Sequence, residues 1–219
     1  MRIRNAPPGP RPLAVTAAAA LAAGLFIALF RFRRLGPLDF WTWLVLSVAL
    51  ITLLAFAVDR GYGQRLLEDL RTGFLRKTVI GVASAAVLYA VFAAGREAAV
   101  ALFPFAANGI DGVYALRSGA PAVRLILLIG LVIGPGEELF WRGFFQEHAA
   151  AGTTRKSGFA LTSLLYTSVH LASGNPMLIL AAAVCGLFWG WLYLRFRSPF
   201  LNVISHTLWD LAVFVVFPL

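Results

Sequence analysis

The sequence predicts an all-α fold: a polytopic bundle of about seven transmembrane helices, with an amphipathic interfacial helix near residues 62–77. Three observations predict it. Of the 219 residues, 60% are hydrophobic and 13% charged, whereas a soluble domain averages about 45–50% apolar and ~25% charged residues. The apolar residues fall in runs long enough to cross a bilayer, which takes ~20 residues per helix. The basic residues gather in the short segments between those runs, as membrane topology requires. Seven spans use roughly 140 residues and leave no room for a separate soluble domain.

The elements follow in order. Residues 1–12 are basic and Pro-rich, and the apolar run Leu13 to Phe30 follows them. It ends at Arg31-Phe32-Arg33-Arg34 without a convincing cleavage site, so it reads as an uncleaved first span and not a signal peptide. A second span covers Phe40 to Val58, with Trp41 and Trp43 as expected interface anchors. In residues 59–77, Leu66, Leu67, Leu70, Phe74 and Leu75 recur at helical spacing among Arg65, Arg71, Arg76 and Lys77, the pattern of a helix lying in the membrane surface. A third span runs from Val79 to Ala94 or on to Phe103. Residues 104–121, with Pro104, Asn108-Gly109, Asp111-Gly112, Gly119 and Pro121, read as the longest loop.

The fourth span, Val123 to Gln146, contains Gly134-Pro135-Gly136, read as a kink or local break. The fifth runs from Phe159 to His170 and the sixth from Met177 to Leu194. In the sixth, Ala182, Gly186 and Gly190 form a ridge of small residues suited to close helix contact. The seventh is Pro199 to Phe217.

The net charge of +9 is not a nucleic-acid signature, because no basic stripe interleaved with aromatics appears. The charge does set an orientation. With an inside N-terminus, the inside set holds twelve basic residues: Arg2, Arg4, Arg11, Arg60, Arg65, Arg71, Arg76, Lys77, Arg155, Lys156, Arg195 and Arg197. The outside set holds six: Arg31, Arg33, Arg34, Arg96, Arg117 and Arg124. That split predicts N-terminus inside and C-terminus outside. The Ala- and Arg-rich, Lys-poor composition points to a bacterial inner (cytoplasmic) membrane. The single cysteine, Cys185, excludes an intrachain disulfide and reads as a packing residue.

Against this apolar background the polar residues stand out. Charged groups at the centre of a membrane helix cost on the order of 2.5–3.5 kcal/mol each by insertion scales and usually face a bundle interior or a cavity. Glu137, Glu138 and Arg142 occupy the fourth span. Glu138 and Arg142 are four apart, on one face, and can pair. Glu137 lies about 100° round the helix and is left available. Tyr166 and His170 share a face of the fifth segment, and His206 and Asp210 share a face of the seventh. His148, near Arg155-Lys156, reads as interfacial.

Glu137-Glu138-x-x-x-Arg142, Tyr166-x-x-x-His170 and His206-x-x-x-Asp210 together resemble the three motifs of the CPBP family, the CAAX-processing and bacteriocin-processing (Abi) intramembrane endopeptidases. Gly186-Leu187-x-x-Gly190-x-x-Tyr193 is similar to the stretch usually found between the second and third motifs. The resemblance divides the chain into residues 1–121, spans and loops without family motifs, and 122–219, a catalytic helix bundle. Tyr166 stands where phenylalanine is usual, and Asp210 where asparagine is commoner.

Peptide hydrolysis needs an activated water, an oxyanion donor and a proton donor for the leaving amine. Glu137 is the candidate base, with His170 holding the same water. His206 is the candidate oxyanion donor, a role worth roughly 2.7–4 kcal/mol where measured. Asp210 either stays protonated and donates, or accepts from His206, fixing its ring and leaving it a charged donor. The second is the expectation. Glu138 and Arg142, with Tyr166, are supporting residues that orient the helix or grip the substrate backbone. This assignment is also what the resemblance implies for a glutamate-type protease of a membrane-associated protein or peptide.

Two alternatives stay open. Glu137, His170 and His206 are a possible zinc ligand set, although no His-Glu-x-x-His motif is present, and the expectation is that no cofactor is used. A bacteriocin-immunity or scaffold protein would have a similar sequence without catalysis. A transporter is disfavoured, since no inverted repeat is visible and both glutamates lie in one half.

Overall fold

Helix follows from apolar runs that must satisfy every backbone N–H and C=O internally, and the ends are marked by residues suited to them. Ser198 accepts a hydrogen bond from the Leu201 N–H (3.1 Å), Asn175 from Met177 (3.0 Å), and Asp39 from Thr42 (3.0 Å). These are N-caps that satisfy otherwise orphaned donors. Pro199 and Pro176 take the next position, where their missing N–H costs nothing.

The computed structural model describes residues 10–117 and 119–219; Arg2 and Arg4 of the inside set lie outside them. The architecture is all-α. The helices are α1 (Pro12–Phe32), α2 (Phe40–Val58), α3 (Tyr62–Arg71), α4 (Phe74–Leu102), α5 (Ala106–Tyr114), α6 (Ala122–Ala149), α7 (Arg155–His170), α8 (Pro176–Phe196) and α9 (Pro199–Val216). Among the described residues the one β-type pairing is an isolated bridge, Leu35 with Leu38. Among the described residues, five helices (α1, α2, α4, α8 and α9) are long and apolar enough to cross a membrane, or six if α5 and α6, bent by 89°, are taken as one broken span. α7, at 16 residues, falls short of the ~20 of a full crossing. Many large apolar side chains on these helices point outward, among them Leu46, Leu53, Val79, Val87, Leu131 and Leu187, as a lipid-facing surface requires.

Several expectations are corrected. Residues 104–121 are not an open loop. They hold α5 and a 3₁₀ turn at Ala115–Arg117, because Gly109 lets α5 pack against Met177 while its carbonyl accepts from Asn175 (2.7 Å). The interfacial helix ends at Arg71. Gly73, at φ +65, turns the chain, and α4 starts at Phe74. Trp41 and Trp43 are buried and do not anchor at an interface, and the Trp41 indole donates to the Leu116 carbonyl (2.9 Å). The Gly134-Pro135-Gly136 stretch does not break α6. The helix widens into π-turns at Ile129–Ile133 and Leu139–Gln146, with one short α-helical segment, Gly134–Glu138, between them.

The small-residue ridge of α8 performs as expected. Gly186 faces the Tyr166 ring and Gly190 faces Phe159 and Ser163 on α7, and the Ser163 hydroxyl donates to the Gly186 carbonyl (3.1 Å). This close approach sets Tyr166 and His170 beside α6 and α8.

Candidate active site

Glu137 and Glu138 sit near the middle of α6, and consecutive helical positions send them different ways. Glu138 turns into the protein, where it is fully buried. Its Oε1 accepts from the Arg142 guanidinium (2.8 Å) and from His206 Nδ1 (2.7 Å), and its Oε2 accepts from Asn202 Nδ2 (3.0 Å). A carboxylate only accepts, so His206 Nδ1 bears the proton. Arg142 is also fully buried and lies over the faces of Tyr166 and Trp189, 4.7 and 5.7 Å from the ring centroids. Such cation–π contacts add to a pair taken out of water.

Glu137 turns the other way, into a cavity of about 290 Å³. Its Oε2 accepts from the Tyr166 hydroxyl (3.0 Å), while its Oε1 has no protein partner among the described residues. His170, one turn beyond Tyr166 on α7, donates from Nδ1 to the Tyr166 carbonyl (2.8 Å). That hydrogen bond fixes the tautomer and leaves Nε2 as an acceptor. The Phe30 ring of α1 packs on His170 at 4.4 Å between centroids. His206 enters from α9 with its ring stacked on Trp189 at 3.6 Å and 20°, and its Nε2 lies 3.4 Å from Asp210 Oδ2.

The seven residues expected from the sequence are therefore brought to one place, in two layers. Glu137, Tyr166, His170, His206 and Asp210 line the cavity. Glu138 and Arg142 lie behind it and do not line it, so they hold His206 and the helix and have no surface to grip a substrate. Asp210 pairs with His206, but the closer partner of the ring is Glu138, because α9 crosses α6 at this level. Two residues were missed. Asn202, four before His206 on the same face of α9, donates to Glu138 and also to the Trp189 carbonyl (2.8 Å). Trp189 stacks on one face of the histidine. A buried asparagine at i−4 from a candidate histidine is a readable signal for the first; an aromatic in an apolar span gives none for the second.

The remaining wall of the cavity is apolar, with Phe40, Trp41, Phe92, Val213 and Phe214 prominent, and Cys185 also faces it. Among the described residues, no three His, Cys, Asp or Glu side chains come together as a metal-binding group, and Glu137, His170 and His206 as arranged do not fit a three-ligand zinc site.

His148 lies outside the cavity and is paired. Its Nε2 lies 2.7 Å from Asp59 Oδ2, and Asp59 also accepts from Arg65 and from the Gly61 N–H. Burial pushes the Asp59 carboxyl up, but the Arg65 and His148 hydrogen bonds and charges outweigh it and hold it below the usual carboxylate range.

Residues 119–212 match the family model described as type II CAAX prenyl endopeptidase Rce1-like. No curated protein and no solved structure matches the chain.

Proposed function

We propose, from the match of residues 119–212 to the family model described as type II CAAX prenyl endopeptidase Rce1-like, that this protein is an intramembrane endopeptidase whose hydrolytic water is activated by Glu137. The observation that carries this reading is the division of labour between neighbouring glutamates: both oxygens of Glu138 are occupied, while Glu137 presents one unpartnered oxygen to a cavity it shares with two histidines.

In this mechanism a water sits between Glu137 Oε1 and His170 Nε2. Glu137 takes its proton as the oxygen attacks the scissile carbonyl. The tetrahedral oxyanion forms against the Nε2–H of a doubly protonated His206, whose Nδ1–H is held by Glu138 and whose ring stacks on Trp189, so little reorganisation is needed during reaction. Glu137 then returns the proton to the leaving amine as the C–N bond breaks. The apolar wall excludes bulk water and suits a membrane-associated protein or peptide substrate.

Glu137→Gln keeps the shape and the Tyr166 hydrogen bond but removes the base. Cleavage is expected to be lost with folded yield unchanged, and uncut substrate should accumulate on the variant. Retained cleavage would sink the reading. No step runs through a metal, so treatment with a strong chelator is expected to leave cleavage unaltered; loss of activity restored by Zn²⁺ would replace this mechanism with a metal-dependent one.

A further inference from the structure

The molecule has two chemically different ends. At one, the C-terminus of α2, α3 and the N-terminus of α4 meet the α6–α7 turn and the α8–α9 turn. They are tied by Asp59 with His148 and Arg65, by Asp69 with the Ser198 hydroxyl (3.0 Å) and the Phe200 N–H (2.9 Å), and by Glu147 with Tyr193 (2.9 Å) and Arg197. At the other, the N-termini of α2 and α6 meet α5 and the end of α9. Here Arg124 pairs with Asp39 (2.6 Å) and Arg117 donates to the Phe214 carbonyl (2.8 Å).

The basic residues divide unequally between these ends. Set aside Arg2 and Arg4, and the first end still carries all ten remaining members of the inside set, from Arg11 to Arg197. The second carries six, even with Arg31, Arg33 and Arg34 counted there. Excess Lys and Arg in short loops mark the cytoplasmic side.

The cavity runs from the middle of the molecule toward the second end. Its walls come from the end of α1, the start of α2, the second half of α4, α5, the middle of α6, the end of α7, α8 from Met177 to Trp189 and α9 from His206 onward, and Arg96 stands half-exposed at its rim. Toward the basic end the catalytic groups are sealed by Glu138, Arg142, Phe144, Gln146 and Tyr62, none more than 2% exposed. We propose that the site is reached from the face of the membrane away from the cytoplasm, so that its substrate is an extracytoplasmic, membrane-associated segment of a protein or peptide. The substrate half of this proposal rests on the endopeptidase reading; the orientation does not.

Two single-cysteine additions test it: Asn108→Cys, exposed on α5, and Ala151→Cys, exposed in the α6–α7 turn. The native protein, whose Cys185 is buried, serves as the blank. In intact cells a membrane-impermeant maleimide is expected to label Asn108→Cys, and to label Ala151→Cys only after the membrane is opened. The reverse pattern, or labelling of both from outside, overturns the proposal. Polypeptides that accumulate uncut with Glu137→Gln are expected to be shaved by a protease added outside the cell, and their full protection would overturn the substrate assignment. If Glu137→Gln still cleaves, the endopeptidase reading has failed, while the labelling still decides the orientation.

Discussion

At the scale of single residues, the site is organised by how many hydrogen bonds each carboxylate already has. Glu137 has one, from Tyr166, which also holds His170 through its carbonyl. Tyr166→Phe removes only the hydroxyl and leaves the ring under Arg142, so folded yield should be kept. The loss of one hydrogen bond to a charged group, roughly 1.5–3 kcal/mol, is expected to lower kcat by about ten- to a hundredfold with little change in KM. An unchanged kcat would show that the hydroxyl does not position Glu137. The same accounting ranks the partners of His206. Glu138 holds it at 2.7 Å and Asp210 approaches at 3.4 Å, so Glu138→Gln should reduce cleavage more than Asp210→Asn; the opposite ranking in a steady-state assay would make Asp210 the controlling partner. Arg142→Ala differs in kind. It removes the guanidinium from a buried pair and leaves Glu138 with His206 and Asn202 alone; breaking such a pair costs ~3–5 kcal/mol in soluble proteins, and expression should fall together with activity.

At the scale of elements, α6 is shaped by its neighbours as much as by its own sequence. The Tyr62 hydroxyl of α3 donates to the Leu139 carbonyl (2.6 Å), where the π-turn opens the helical ladder directly after the paired glutamates. π-turns of this kind recur at functional sites. A methyl group on Gly143 would overlap that hydroxyl and press on Pro199, so Gly143→Ala should cost about 1–3 kcal/mol by overpacking, read as a lowered melting midpoint in detergent. The cluster beside it sets a pH dependence. Because Asp59 titrates below its unfolded value of ~3.9, its contribution is complete above that pH and is lost as pH falls through the lower folded value. The melting difference between native protein and Asp59→Asn should be largest near neutrality and close below about pH 4; a difference unchanged down to pH 3 would remove Asp59 from the account. Much of this level was not legible in the sequence. Apolar run length located α2, α8 and α9 to within a few residues. The glycines and asparagine of 104–121 hid α5, because there glycine serves close helix contact and not a turn. Nothing in residues 139–146 announces a π-turn, and the Tyr62 hydroxyl that bonds the Leu139 carbonyl there lies elsewhere in the chain.

At the scale of the molecule, the polar residues that the sequence singled out are the ones the fold gathers. Each is too costly to place in an apolar run without a partner, which is why the candidate site was the most readable part of the chain. Their layering was not readable: whether a carboxylate faces a cavity or lies behind it depends on how α6, α8 and α9 cross. The wall opposite the catalytic groups has a further consequence. Phe30 of α1 rests on His170, and Phe40, Trp41 and Leu44 of α2 complete the cavity, yet all four lie outside the segment that carries the family motifs. Part of the cavity wall is thus encoded outside the stretch that carries Glu137 and the histidines, and part of it within that stretch, by α8 and α9. Amino-acid changes at Phe40, Trp41 and Leu44 therefore reshape the cavity without touching Glu137, His170 or His206.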